Sequence, residues 1–180
     1  AEFVRSVIRA ADSDVDFSAY DDNGDGCVAV AVVYQGFNRN NLRAYAGGLS
    51  YRGGTIDVDG VTINAYTRLQ ELDWNGERET IGTFAHEIGH FYSLPDLYGS
   101  SGSGNGIGYW SLMASGSWGS EFGDPAGSSP SHLTAWEKDM IGWGSATRIS
   151  RADRSGILPP AAVAAENYRI EPEGTEAYDY

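Results

Sequence analysis

His86-Glu87-Ile88-Gly89-His90 is the densest chemistry in the 180-residue sequence, which holds only three histidines. On a helix, residues i and i+4 share a face, so the His86 and His90 imidazoles can converge on one ion. Zn²⁺ accepts neutral imidazole nitrogen and tolerates a tetrahedral site with one open position. Glu87 follows the first histidine and can take a proton from a water that the metal acidifies. The pattern therefore predicts a zinc centre with Glu87 as general base and a carbonyl carbon as its target. The bland alternative is an amphipathic helix with two surface histidines.

The residues that follow extend the pattern. The run reads HEIGHFYSLPD, and Asp96 lies six residues past His90. Pro95 stops the helix before Asp96, so this carboxylate can swing back toward the metal as a third ligand. In metzincins a glycine turns the chain at the position held here by Ser93. A left-handed backbone there costs serine about 1 kcal/mol that glycine avoids. Downstream, Met113 in WSLMASG suits the methionine turn that underlies such a metal. Ser115 stands where some relatives of that pattern carry a ligand tyrosine, so no tyrosine ligand is expected. Glu137, 47 residues past His90, competes with Asp96 for the third position. The spacing instead places Trp136 and Ile141 toward the core and leaves Glu137 and Lys138 near solvent.

These residues must be carried by a fold of the α+β class. Apolar spacing predicts a helix over 2–11. Residues 27–34 (CVAVAVVY) read as a strand buried on both faces, with Cys27 as a small buried apolar residue. Residues 55–58 and 61–69 read as strands joined by a turn at Asp59-Gly60. The zinc helix is expected over 79–94, capped near Thr80, and a further helix over 131–141. The sheet is expected to be twisted and mostly parallel. An edge strand within 61–72 would pair with an extended substrate. Residues 1–144 form the expected catalytic domain. Residues 145–180 form a β-like extension with strand-like pieces at 146–149 and 168–171.

Composition narrows the partners. A net charge of −13 lacks the basic footprint that nucleic acid requires. No apolar run nears the roughly 18 residues of a membrane helix, and no signal peptide is visible. One cysteine excludes an intramolecular disulfide. Asp21, Asn23 and Asp25, followed by Gly26, match the first half of an EF-hand loop and are candidate calcium ligands. The twelfth-position glutamate is replaced by Val32, and Asp12, Asp14 and Asp16 can supply charge. The rival reading is a capped acidic turn. His132 opens the later helix and is a candidate stabiliser of the tetrahedral oxyanion, or simply a polar group at a helix start. Tyr98, Tyr109 and Trp118 suit a cleft lining or plain core.

Taken in order, VDFS with YDDNGDG, the valine-rich strand, HEIGHFYSLPDLY, GIGYWSLMASGSW and PSHLTAWEKDMIGWG resemble the immune inhibitor A-type secreted bacterial metalloproteases. The resemblance spans about residues 10–144. It implies proteolysis of protein or peptide substrates, secretion, and a precursor with a pro-segment. Two other readings stay open: a silent calcium- or partner-binding module with a relic site, and a zinc hydrolase of short peptides or amides. The intact Glu87 argues against the first.

Overall fold

The computed structural model describes residues 1–37, 44–51, 53–73, 75–99, 104, 106–149, 159–160, 162–163 and 166–170. Its elements are α1 (Glu2–Ala11), β1 (Cys27–Phe37), β2 (Tyr45–Gly48), β3 (Ile56–Val58), β4 (Val61–Leu72), α2 (Ile81–Gly89), α3 (Ala135–Met140), β5 (Ser145–Ile149) and β6 (Glu166–Ile170). The architecture is α+β, as expected, with few helices.

The main sheet is mixed, which corrects the mostly parallel expectation. β4 pairs parallel with β1, and antiparallel with β2 and β3. The β3–β4 hairpin closes on Asp59 and Gly60, at φ 50° and 82°. Two positive φ values are what a twist-matched two-residue hairpin turn needs. Between Val28 and Val30 of β1 the register on β4 jumps from Ile63 to Tyr66. One extra residue on β4 reverses the side-chain alternation. Val61, Ile63 and Tyr66 thus all join the core under α1, with Val4, Ile8, Phe17, Val28, Val32 and Leu49. Beyond the bulge, alternation turns the fully buried Thr67 and Leu69 to the opposite face.

Two expectations about β1 fail together. Val28 and Val32 are buried, but Val33 is 56% exposed. Cys27 is exposed as well. The side under α1 is covered, whereas α2 packs on β2 and β4 and leaves the second face of β1 uncovered among the described residues. The expected edge strand is corrected too. β4 is hydrogen-bonded on both sides, and among the described residues the free edge beside α2 is β2.

The second half is irregular. Leu94, Met113 and Leu133 form its core, joined by Leu97, Leu112 and Ile141. The helix expected over 131–141 is only α3. Thr134 caps it in a full capping box with Glu137. Here the solvent-side assignment is overturned: Glu137 is fully buried, Lys138 is buried, and Trp136 is 48% exposed. The Glu137 carboxylate folds back over the helix start. One oxygen accepts from the Ser111 hydroxyl at 2.6 Å, and the other from the Thr134 N–H at 2.6 Å. β5 and β6 pair in parallel as a separate two-stranded sheet. They occupy nearly the positions of the two strand-like pieces.

Removing Glu137 should therefore damage the fold. Glu137→Ala keeps the Thr134 hydroxyl cap on the residue 137 N–H but loses the other half of the box, stranding the buried Ser111 hydroxyl and the half-buried Thr134 N–H. A loss of about 3 kcal/mol is expected, or a drop of roughly 10 °C in melting temperature for a chain of this size. Thermal denaturation checks it, and a shift under about 2 °C would contradict the anchoring role.

Candidate metal centre

The helix that carries His86 and His90 is shorter than expected because its end is actively capped. The α-helical hydrogen bonding of α2 stops at Gly89, and a tighter 3-10 turn covers His90–Tyr92. Ser93 then adopts the left-handed conformation, φ 62° and ψ 20°. Its N–H donates to the His90 carbonyl at 3.0 Å, and the Leu94 N–H to the Gly89 carbonyl at 3.4 Å. This pair of bonds is a Schellman cap, whose left-handed position favours glycine. Ser93→Gly should therefore stabilise the chain by a few tenths to about 1 kcal/mol, part of the relief being offset by the freer unfolded chain. A lower melting temperature in that variant would contradict the strain argument.

The cap redirects the chain so that Asp96 returns to the helix face. Its Oδ1 stands 3.1 Å from His86 Nε2 and 3.3 Å from His90 Nε2. Zn–N and Zn–O bonds of about 2.0–2.1 Å in a tetrahedron place neighbouring ligand atoms roughly 3.3 Å apart. The observed separations match that spacing. Among the described residues, His86, His90 and Asp96 are the one group of histidine, cysteine or carboxylate side chains close enough to hold a metal ion.

The histidines are oriented from behind. His86 Nδ1 meets the Leu112 carbonyl at 3.0 Å, and His90 Nδ1 meets the Leu94 carbonyl at 2.8 Å. A carbonyl only accepts, so each Nδ1 carries the proton, and in the neutral ring Nε2 presents its lone pair. Two lone pairs and a carboxylate oxygen then face one point. Three acceptors converge without a donor among them, and a cation satisfies all three. The donor set fits zinc.

Met113 lies beneath the helix and is fully buried. A Cβ on Gly89 would sit 2.5 Å from its sulfur, so glycine between Glu87 and His90 is what lets the methionine approach. The turn is fixed by the Met113 N–H donating to Ser111 Oγ at 2.9 Å, the same hydroxyl that Glu137 anchors. Leu97 N–H closes it by donating to the Met113 carbonyl at 2.7 Å.

Glu87 is buried beside the two imidazoles. Burial raises its carboxyl above the usual range. The neighbouring His86 and His90 pull it down, Asp96 pushes it up, and the Ala46 N–H of β2 donates to it and pulls it down. That bond also ties the sheet edge to the candidate base.

Tyr98 was read from sequence only as cleft or core. Its ring lies nearly parallel to that of His86, with centroids 5.9 Å apart and planes 18° apart. Burial, together with the Asp96 carboxylate to which its hydroxyl donates, raises its phenol above the ordinary value. Tyr109 and Trp118 are exposed at 66% and 60%. His132 turns Nδ1 to the Leu133 carbonyl at 3.1 Å.

In the acidic loop, the Asp21 carboxylate accepts from Asp25 N–H at 3.1 Å and Gly26 N–H at 3.0 Å. Asn23 Oδ1 accepts from Asp25 N–H, and Asp25 Oδ1 from Cys27 N–H. Gly26 has φ 74°. These bonds suit both the capped turn and the calcium loop. The calcium reading expects the melting temperature of chelator-stripped protein to climb with added calcium, and a curve indifferent to millimolar calcium removes it.

A helix bearing two histidines and a carboxylate, with an aspartate returning to it over a buried methionine, is an arrangement found in metal-dependent hydrolases. Comparison with known proteins gives the family. The family described as "Immune inhibitor A peptidase M6, catalytic domain" matches residues 42–144, more than half of the chain, and the chain belongs to it. These are zinc-dependent metallopeptidases, and membership implies a metzincin-like fold. The chain is 40% identical over 62 residues to the pre-pro-metalloprotease PrtV of Vibrio cholerae serotype O1, which covers 33% of this chain and 6% of that protein. It is 28% identical over 172 residues to immune inhibitor A of Bacillus thuringiensis subsp. alesti, covering 78% of this chain and 24% of that protein. The chain thus spans at most about a quarter of the length of these relatives. No helix among the described residues is long and apolar enough to cross a membrane.

Proposed function

We propose that this chain is the catalytic unit of a secreted zinc endopeptidase. The observation that carries the reading is the convergence of His86 Nε2, His90 Nε2 and Asp96 Oδ1 within tetrahedral ligand spacing. Zinc held there supplies Lewis acidity, which lowers the pKa of a water and polarises a carbonyl.

The chain's residues do the rest. Glu87, beside the two imidazoles, accepts the proton of the attacking water and delivers it to the amide nitrogen as the C–N bond breaks. The Leu112 and Leu94 carbonyls hold the imidazoles in their ligand tautomer. β2 offers its free edge to an extended substrate. Its Ala46 N–H points to Glu87, and antiparallel alternation gives Gly48 the same outward aspect. Met113 supports the helix from below. His132 as an oxyanion stabiliser rests on its sequence position alone.

Metal analysis combined with a casein digest tests the reading. One zinc per chain and internal cleavage of casein are expected. Equimolar zinc with no peptidase activity would favour the silent binding module, and activity confined to short peptides would favour the small-amide hydrolase. The precursor's pro-segment and the segregation of 145–180 as a separate extension remain part of the proposal. PrtV's name as a pre-pro form supports the former.

A further inference from the structure

Tyr98 touches two of the three ligand side chains at once, with its ring against His86 and its hydroxyl on Asp96. Few side chains can do this, because His86 lies on α2 and Asp96 on the returning segment.

The backbone around Tyr98 is held on both sides. Leu97 N–H donates to the Met113 carbonyl, and the Leu97 carbonyl accepts from Ile107 N–H at 3.1 Å. Gly99 N–H reaches the Gly104 carbonyl at 3.2 Å. A Cβ on Gly106 would fall 1.7 Å from the Leu97 oxygen and 2.6 Å from Tyr98 Cα. Gly106, at φ 55°, is therefore what lets the chain at that point pass so close to Leu97 and Tyr98. Tyr98 is itself 46% exposed, so it is the held backbone and the ring stacked on His86 that restrict the phenol.

Building on the zinc reading, we propose that Tyr98 is a positioning residue for the third ligand. Its phenol holds the Asp96 carboxylate so that Oδ1 alone faces the imidazole nitrogens, and its ring braces His86. A carboxylate free to rotate can present both oxygens and fill the position that a catalytic zinc keeps open. Tyr98 prevents this by occupying part of the carboxylate's hydrogen-bonding capacity. Outer partners of metal ligands commonly set affinity in this way.

The test compares wild type with Tyr98→Phe, which keeps the ring and removes only the hydroxyl. Zinc affinity is measured by competition with a chromophoric chelator, and the visible spectrum is recorded at saturating cobalt. Tyr98→Phe should bind zinc about 10–100-fold more weakly. Its cobalt bands should weaken as coordination number rises. The saturated spectrum reports only loaded, folded protein, so loss of fold cannot mimic that change. Zinc affinity and a cobalt spectrum indistinguishable from wild type would overturn the positioning role while leaving the zinc centre intact. A wild-type protein that takes up no zinc would overturn both.

Discussion

Glu87→Ala is expected to keep one zinc per chain, keep its fold, and lose about 10²–10⁴-fold in casein hydrolysis, the usual worth of a positioned general base. The three convergent ligand atoms come from His86, His90 and Asp96, none of which the substitution touches. The helix loses nothing, since alanine is its best former. What disappears is the one carboxylate buried beside the two imidazoles. Burial is the largest influence on this group and raises its carboxyl above the usual range, which suits a base that must take a proton and give it back. The Ala46 N–H loses its acceptor but lies on a strand edge that is free among the described residues, where water can replace it. The measurement is kcat/KM on metal-replete variant and wild type, with zinc content read on the same samples. Turnover near wild type at full zinc occupancy would defeat the assignment.

The site was more legible in the sequence than the sheet was. His86, Glu87, His90, Asp96 and Met113 are brought together by short-range geometry: i,i+4 spacing, a proline stop and a turn. Such features are written locally. The left-handed Ser93 was also legible, because the position asks for glycine whatever the surroundings. The burial of Glu137 was not. Its helix is six residues long, too short for periodicity to fix a face, and the Ser111 hydroxyl that draws the carboxylate inward lies 26 residues away. The second face of β1 failed for a related reason: an all-apolar run states that a strand can be buried on both sides, not that something covers both. Strand direction was likewise hidden. β4 meets β1 in parallel but β2 and β3 antiparallel, and only the β3–β4 turn was marked, by Asp59-Gly60. Tyr98 carried one signal that sequence reasoning could have used. It stands two residues past Asp96, and an aromatic hydroxyl so near a predicted ligand is a natural outer partner.

The third ligand gives the other large effect. Asp96→Ala should weaken zinc binding by at least about 100-fold, since even the outer partners of ligands cost 10–100-fold when removed. Two imidazoles from one helix cannot close a tetrahedral site, and no other carboxylate joins their cluster among the described residues. Glu137→Ala should leave zinc affinity nearly unchanged. The Glu137 carboxylate is committed at both oxygens, to Ser111 and to Thr134, and it reaches the methionine turn only through the Ser111 hydroxyl. Its removal therefore registers in the melting temperature, while the Asp96 change registers in the metal titration. The two variants separate metal binding from support. A zinc titration read below the melting range of each protein makes the comparison clean. Tight zinc binding in Asp96→Ala with a large loss in folded Glu137→Ala would move the third ligand onto α3. It would also remove the short-range aspartate return on which the metzincin-like reading of this centre depends.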